Sequence, residues 1–206
     1  MIFSIHNKFI YIAMPRTGST SIYKTLKLFG ASVIPYGVAK PSCYEKDING
    51  FHDPNIWEPI NKYYKFTSIR NPYRRMLSHF LFAQDNKKHR LYDISDNFEA
   101  FVNICITNNY LIPQTQFIHG LEIDGFICIE GCYQQQIQNL PPFHHLCVPA
   151  VEKTNDVTYI HPWQNFYNKK IEKQVLDWAI NDFITFGYST DISLTSNLPI
   201  CLNNDG

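Results

Sequence analysis

Twice in this chain an apolar, β-prone run ends directly in a short polar loop that opens a segment with helical periodicity. The first run, Phe9-Ile10-Tyr11-Ile12-Ala13-Met14, leads into Pro15-Arg16-Thr17-Gly18-Ser19-Thr20-Ser21. The second, Lys65-Phe66-Thr67-Ser68-Ile69, leads into Arg70-Asn71-Pro72-Tyr73-Arg74-Arg75-Met76-Leu77-Ser78. A strand, a tight loop and a helix N-terminus form a ready anion site, because backbone N–H groups and the helix dipole converge there. Two such loops, both bearing arginine and hydroxyl side chains, point to one ligand with phosphate-like groups at both ends.

The remaining pattern fits the same architecture. Residues 8–14 read as a continuous apolar strand, as expected of a strand buried on both faces of a parallel sheet. The helix after the first loop is expected from Ser19 to about Phe29, with Ile22, Leu26 and Phe29 on one face and Gly30 as its stop. A short strand is expected near Ala31–Ile34. Residues 35–62 carry several prolines and turn residues and read as a long irregular segment, a frequent place for functional loops. Beyond the second strand, Asn71 is suited to cap a helix with Pro72 at its first position, running to about Asp85. Further elements are a helix over 97–108, a strand over Phe126–Glu130, and an amphipathic helix from Lys169 to Phe186. Ile171, Val175, Trp178, Ala179 and Ile180 are read as the apolar stripe of that helix, and Gly187 as its stop. Alternating strands and helices predict an α/β domain with a mainly parallel central sheet flanked by helices. Its ligand belongs beyond the carboxyl ends of the strands, where both loops lie.

Composition narrows the class. A chain of 206 residues with 45% hydrophobic residues suffices for one globular core. Its charge is balanced, 18 basic against 18 acidic residues, and no basic stripe favours nucleic acid; Lys87-Lys88-His89-Arg90 reads as a solvated helix end. No apolar run approaches membrane-spanning length and no signal peptide is visible, which predicts a cytoplasmic protein. The six cysteines are scattered, and Cys128 and Cys132 lack the second pair or histidine of a zinc pattern, so they are read as reduced thiols and no metal is expected.

The two loops also carry a family resemblance. The first resembles the 5′-phosphosulfate loop of sulfotransferases that use 3′-phosphoadenosine-5′-phosphosulfate (PAPS). The second resembles their 3′-phosphate motif, Arg-Asn-Pro followed by Arg and Ser in a helix. Ile112-Pro113-Gln114-Thr115-Gln116-Phe117-Ile118, the run Phe126 to Glu130, and Asp182-Phe183-Ile184-Thr185-Phe186-Gly187-Tyr188 look like later landmarks of the carbohydrate-type branch. The resemblance spans roughly residues 8–189. It implies a single-domain, P-loop-like fold over residues 1–190 with a polar tail at 191–206. It also implies sulfonate transfer from PAPS to an acceptor hydroxyl, of a carbohydrate such as a saccharide or glycan.

Roles follow for individual residues. Gly18 lets the backbone approach the 5′ end, and Thr17, Ser19, Thr20 and Ser21 offer hydroxyl and N–H donors. Arg16 stands where the family more often has lysine; a guanidinium stays charged, so its role is electrostatic. Arg70 and Ser78 match the 3′-phosphate contacts, and Arg75 also matches the pattern, whereas Arg74 reads as a neighbouring exposed cation. For the general base, His52 in Gly50-Phe51-His52-Asp53-Pro54 has the right chemistry, with Glu45 as the alternative. Gln114 and Glu130 match landmarks that shape the acceptor or nucleotide pocket, or are buried hydrogen-bonding residues. Trp163, in His161-Pro162-Trp163, is the aromatic candidate for acceptor contact. His144, His145 and His161 read as structural or acceptor-side.

Two rivals stand beside this reading. A P-loop-like nucleotide kinase or hydrolase needs Gly-x-x-x-x-Gly-Lys and a magnesium carboxylate, and the loop has one glycine and no lysine. A non-catalytic module that binds PAPS or its product, 3′-phosphoadenosine-5′-phosphate (PAP), would share Arg16, Arg70 and Ser78 with the enzyme.

Overall fold

The computed structural model describes residues 2–4, 6–33, 62–148 and 162–194. The strands are β1 (Ile2–Ser4), β2 (Phe9–Ile12), β3 (Ser32–Val33), β4 (Tyr64–Ile69) and β5 (Gly125–Cys128). The helices are α1 (Ser19–Lys27), α2 (Pro72–Asp85), α3 (Phe98–Thr107), α4 (Gln114–Phe117), α5 (Tyr133–Gln138) and α6 (Lys169–Phe186). Short 3-10 turns occur at Pro141–Phe143, Trp163–Phe166 and Ile192–Leu194. The chain divides into two compact units: residues 1–69 with 116–154, and residues 70–115 with 155–206.

The first unit holds a five-stranded sheet in the order β3-β1-β2-β4-β5. Its centre is parallel, as expected, with Ile12 opposite Thr67 in β2–β4 and Ile69 opposite Cys128 in β4–β5. β1 and β3 extend one edge antiparallel. β1 departs from the sequence reading, which began the first strand at residue 8. Three residues are too few to show alternation, and pairing to β2 on one side and β3 on the other makes Ile2–Ser4 a strand. Phe9, Ile10, Tyr11 and Ile12 are all fully buried, which explains why β2 has no polar face. Phe9, Tyr11, Phe66 and Ile127 share a core with Ile22 and Leu26 of α1, Tyr133 and Ile137 of α5, and Phe143. Phe29, placed on the apolar stripe of the first helix, lies just past the end of α1 and packs partly buried against that core.

The second unit packs α2, α3 and α6 together. Tyr73 meets Phe183 with ring centroids 4.9 Å apart, and Phe80 meets Phe101 at 5.3 Å. The helices start where short polar side chains accept their first amides: Asn71 for α2, Asn97 for α3 and Asn168 for α6. α6 matches its predicted ends and stops at Gly187, whose φ of 68° suits a residue without Cβ. Its apolar stripe needs correction. The buried positions are Ile171, Val175, Ala179, Asp182, Phe183 and Phe186, whereas Trp178 is only partly buried and Ile180 is exposed. Ile180 lies nine residues after Ile171, half a turn round at 100° per residue, and so falls on the opposite side. Among the described residues, no helix is long and apolar enough to cross a membrane.

Candidate functional site

In the first unit, the loop after β2 is shaped by two residues in the left-handed region, Arg16 (φ 65°) and Gly18 (φ 73°). That conformation costs a non-glycine residue about 1–2 kcal/mol, so Arg16 is held against its local preference. Gly18 is the N-cap of α1 and makes no side-chain cap bond. A Cβ at Gly18 would lie 2.2 Å from Ile129 Cδ1 and 2.7 Å from Ile129 Cγ1. The loop therefore sits against Ile129 with no room for a side chain at its turn.

Thr17 is fully buried, and its hydroxyl donates to Met14 O at 3.0 Å and pairs with Ser68 Oγ at 2.8 Å. Ser68 in turn pairs with Tyr11 OH at 2.6 Å, and Thr67 Oγ1 donates to Ile12 O at 2.6 Å. A chain of buried hydroxyls thus ties the loop to the middle of the sheet. It also explains how β4 tolerates Thr67 and Ser68 at fully buried positions. Thr17, expected to offer its hydroxyl to a ligand, spends it on the scaffold. Ser21 is buried, Ser19 is partly exposed and Thr20 is exposed, all within the first turn of α1.

The second unit begins with Arg70, the residue after β4 in the chain. Arg70 is 8% exposed and Ser78, on α2, is 1% exposed. The amides at the start of α2 are already used: Asn71 Oδ1 accepts from Tyr73 N at 3.0 Å and from Arg74 N at 3.4 Å. The two helix starts expected to offer backbone amides to an anion therefore differ. α1 has no side-chain cap, whereas α2 is closed by its own asparagine. What the second motif has left to offer a ligand is side chains.

Gln114 is fully buried and brackets the backbone of Arg70. Its Oε1 accepts from Arg70 N at 2.9 Å and its Nε2 donates to Arg70 O at 2.8 Å. Asp182, also fully buried, accepts from Gln114 N at 2.7 Å and from Gln114 Nε2 at 3.2 Å. Its other oxygen accepts from Thr115 N at 2.8 Å and Thr115 Oγ1 at 2.7 Å. Arg75, 2% exposed, donates from Nη1 to Ile112 O at 2.9 Å. Burial pushes its guanidinium down to about 10; Asp182 opposes that shift and Arg70 adds to it. It remains charged at neutral pH.

Arg74 is not simply an exposed neighbour: its Cζ lies 5.7 Å from the centroid of the Trp163 ring. Trp163 is 5% exposed, with Tyr167 set edge-on to it at 5.9 Å, so no open indole face is presented to a sugar. Glu130 accepts from Cys128 Sγ at 3.2 Å. His144 is exposed, with Nε2 2.6 Å from Asn139 O. His52, Glu45 and His161 lie outside the described residues, as does the irregular segment up to residue 61. Among the described residues, no group of three His, Cys, Asp or Glu side chains could hold a metal ion.

Two contributors escaped the sequence reading: Ser68, as the link between Tyr11 and Thr17, and Asp182, as the acceptor for Gln114 and Thr115. Each had a signal. A hydroxyl in a strand otherwise buried on both sides, and a carboxylate in register with the apolar stripe of a helix, both imply a satisfied buried partner.

The features of the first loop suit a nucleotide's anionic end: a left-handed turn without a Cβ, an arginine beside it, and a helix start that no side chain closes. Comparisons with known proteins address the family directly. Neither a search of curated proteins nor a search of solved structures gives a match. Residues 1–176 match the model of the Sulfotransferase family, and the α/β architecture with its mostly parallel central sheet is consistent with that family's P-loop-like fold. The chain belongs to the sulfotransferase family, enzymes that use PAPS as the sulfonate donor.

Proposed function

We propose that this enzyme transfers a sulfonate group from PAPS to a hydroxyl of a carbohydrate, by in-line displacement assisted by a general base. The observation that carries the donor assignment is the contrast between helix starts. Among the described residues, α2, α3 and α6 are closed by Asn71, Asn97 and Asn168, whereas α1 begins at Gly18 with no side-chain cap, as does the six-residue α5 at Cys132. An uncapped helix start preceded by Arg16 favours an anion. Residues 15–21 take the 5′-phosphosulfate, through backbone amides and the Ser19 and Thr20 hydroxyls. Arg16 balances the charge that develops on the leaving phosphate, which is weakly basic and leaves without a proton. Arg70 and Ser78 take the 3′-phosphate, Arg70 through a guanidinium, the side chain suited to bidentate contact with phosphate. The donor supplies the sulfonate, and these residues bind and orient it. No metal ion has a part in the chemistry.

His52 serves as the base that removes the acceptor proton, with Glu45 as the alternative, on the strength of side-chain chemistry and position in the sequence. The carbohydrate branch rests on the Ile112–Ile118 and Asp182–Tyr188 segments of the sequence. Gln114 serves this site from behind Arg70, and the burial of Trp163 speaks against stacking on its ring. One sulfotransferase domain over residues 1–190, followed by a polar tail, is supported by the family match and by α6 ending at Phe186. A cytoplasmic location belongs to the same proposal, supported by the free thiols of Cys105, Cys128, Cys132 and Cys147.

The test is calorimetric titration of the purified chain with PAP, with ATP and adenosine-5′-phosphosulfate as controls. Micromolar PAP binding that weakens sharply in Arg70→Ala is the expected result. Preference for ATP, or no nucleotide binding, overturns the proposal. With an acceptor in hand, a His52→Ala variant that binds PAP but no longer transfers sulfonate separates catalysis from binding. Unchanged turnover removes His52 as base and moves the role to Glu45.

A further inference from the structure

We infer that Gln114 and Asp182 are positioning residues that set the enzyme's selectivity for a 3′-phosphorylated nucleotide, by fixing the backbone from which the Arg70 side chain projects; this rests on Arg70 as the 3′-phosphate residue. Arg70 stands one position beyond the end of β4. Gln114 offers it what a neighbouring strand would: an acceptor for its N–H and a donor for its C=O, at 2.9 and 2.8 Å. One side chain thereby holds both peptide groups of Arg70, so its Cα–Cβ direction is set although the strand has ended. The same device recurs at β5, where Gln136 accepts from Cys128 N at 2.7 Å and donates to Cys128 O at 2.9 Å. The two differ in what lies behind the glutamine.

Gln114 is itself anchored. Asp182 accepts four hydrogen bonds, two from Gln114 and two from Thr115, which leaves the amide oxygen of Gln114 pointed at Arg70 N and fixes which end of the amide donates. Arg75 holds the same segment from Ile112 O. Asp182 follows the one break in α6, at Ala179, where φ and ψ are −112° and 21°. A buried carboxylate with four donors is costly to disturb, and its arrangement leads to the backbone of a single arginine. A purely structural network needs no such terminus. A bidentate contact to phosphate needs the guanidinium plane well aimed, so this backbone clamp acts on the 3′-phosphate more than on the rest of the nucleotide.

The experiment compares affinity for PAP with affinity for adenosine 5′-phosphate, which lacks the 3′-phosphate, in the wild type and in Gln114→Met, a variant of similar length without the amide. The wild type is expected to prefer PAP by about tenfold or more. Gln114→Met is expected to lose most of that preference while binding adenosine 5′-phosphate within about twofold of the wild type. An unchanged ratio, or a parallel loss for both ligands, overturns the positioning role. A wild-type ratio near one overturns the assignment of Arg70 to the 3′-phosphate and the inference with it. Should Gln114→Met fail to fold, Thr115→Val decides: at a partly exposed position it removes one of the donors to Asp182. A fall in the ratio of about threefold supports the inference, and an unchanged ratio overturns it.

Discussion

Replacing Gly18 by alanine tests the architecture of the first loop most directly. Two separate costs apply. The residue sits at φ 73°, where an alanine loses about 1–2 kcal/mol relative to glycine. Its new Cβ would also lie 2.2 Å from Ile129 Cδ1 and 2.7 Å from Ile129 Cγ1. The Cδ1 methyl is the flexible end of its side chain, but relieving the Cγ1 overlap requires a turn about χ1 in a residue packed against the core. Forced repacking of that kind costs about 1–3 kcal/mol. Gly18→Ala is therefore expected to destabilise by about 2–5 kcal/mol, measured as a drop in the urea midpoint with an unchanged slope. A double-mutant cycle with Ile129→Ala separates the two costs. Removing the isoleucine side chain returns the overlap and leaves the backbone cost, so the coupling is expected at about 1–3 kcal/mol. Two results would refute the reasoning: a single-variant loss under about 0.5 kcal/mol, or additivity within that margin.

Two further outcomes follow from the buried polar groups. Ser68→Ala removes the middle of the Tyr11–Ser68–Thr17 chain and with it two buried hydrogen bonds, so a loss of about 1–3 kcal/mol in urea unfolding is the expected result. A double-mutant cycle with Tyr11→Phe should show the two positions coupled, and a fully additive double variant would contradict the chain. Alkaline stability is the second. Burial pushes the Cys105 thiol up to about 12, and it raises the Tyr73 hydroxyl, with Glu172, Asp191 and Asp177 adding to the shift. Both groups stay protonated when folded but ionise when unfolded, so their contribution is intact below about pH 9 and declines as pH rises toward 12. Urea midpoints across that range should fall, and less steeply in Cys105→Ala. Alkylation at pH 8 with peptide mapping should label the exposed Cys132 and Cys147 and spare Cys105; labelling of Cys105 would contradict its burial.

The sequence by itself determined what is local. Both strand–loop–helix units, the Asn71 cap with Pro72 behind it, the full length of α6 and its Gly187 stop depend on contacts within a few residues, so residue type and spacing carried them. The parallel centre of the sheet followed from the order of those units. The tertiary structure decided what depends on distant partners. Ile2–Ser4 is a strand because Phe9–Tyr11 and Ser32–Val33 pair with it. Thr17 turns inward to pair with Ser68, 51 positions away, and Gly18 is confined by Ile129. Gln114 reads in sequence as a pocket landmark or a buried hydrogen-bonding residue, with no partner named; its bond to Arg70 spans 44 positions and its bond to Asp182 spans 68. A hydrogen bond needs its two atoms within about 3 Å. No spacing rule brings residues so far apart in the chain to that distance; only the packing of the helices and strands that carry them does.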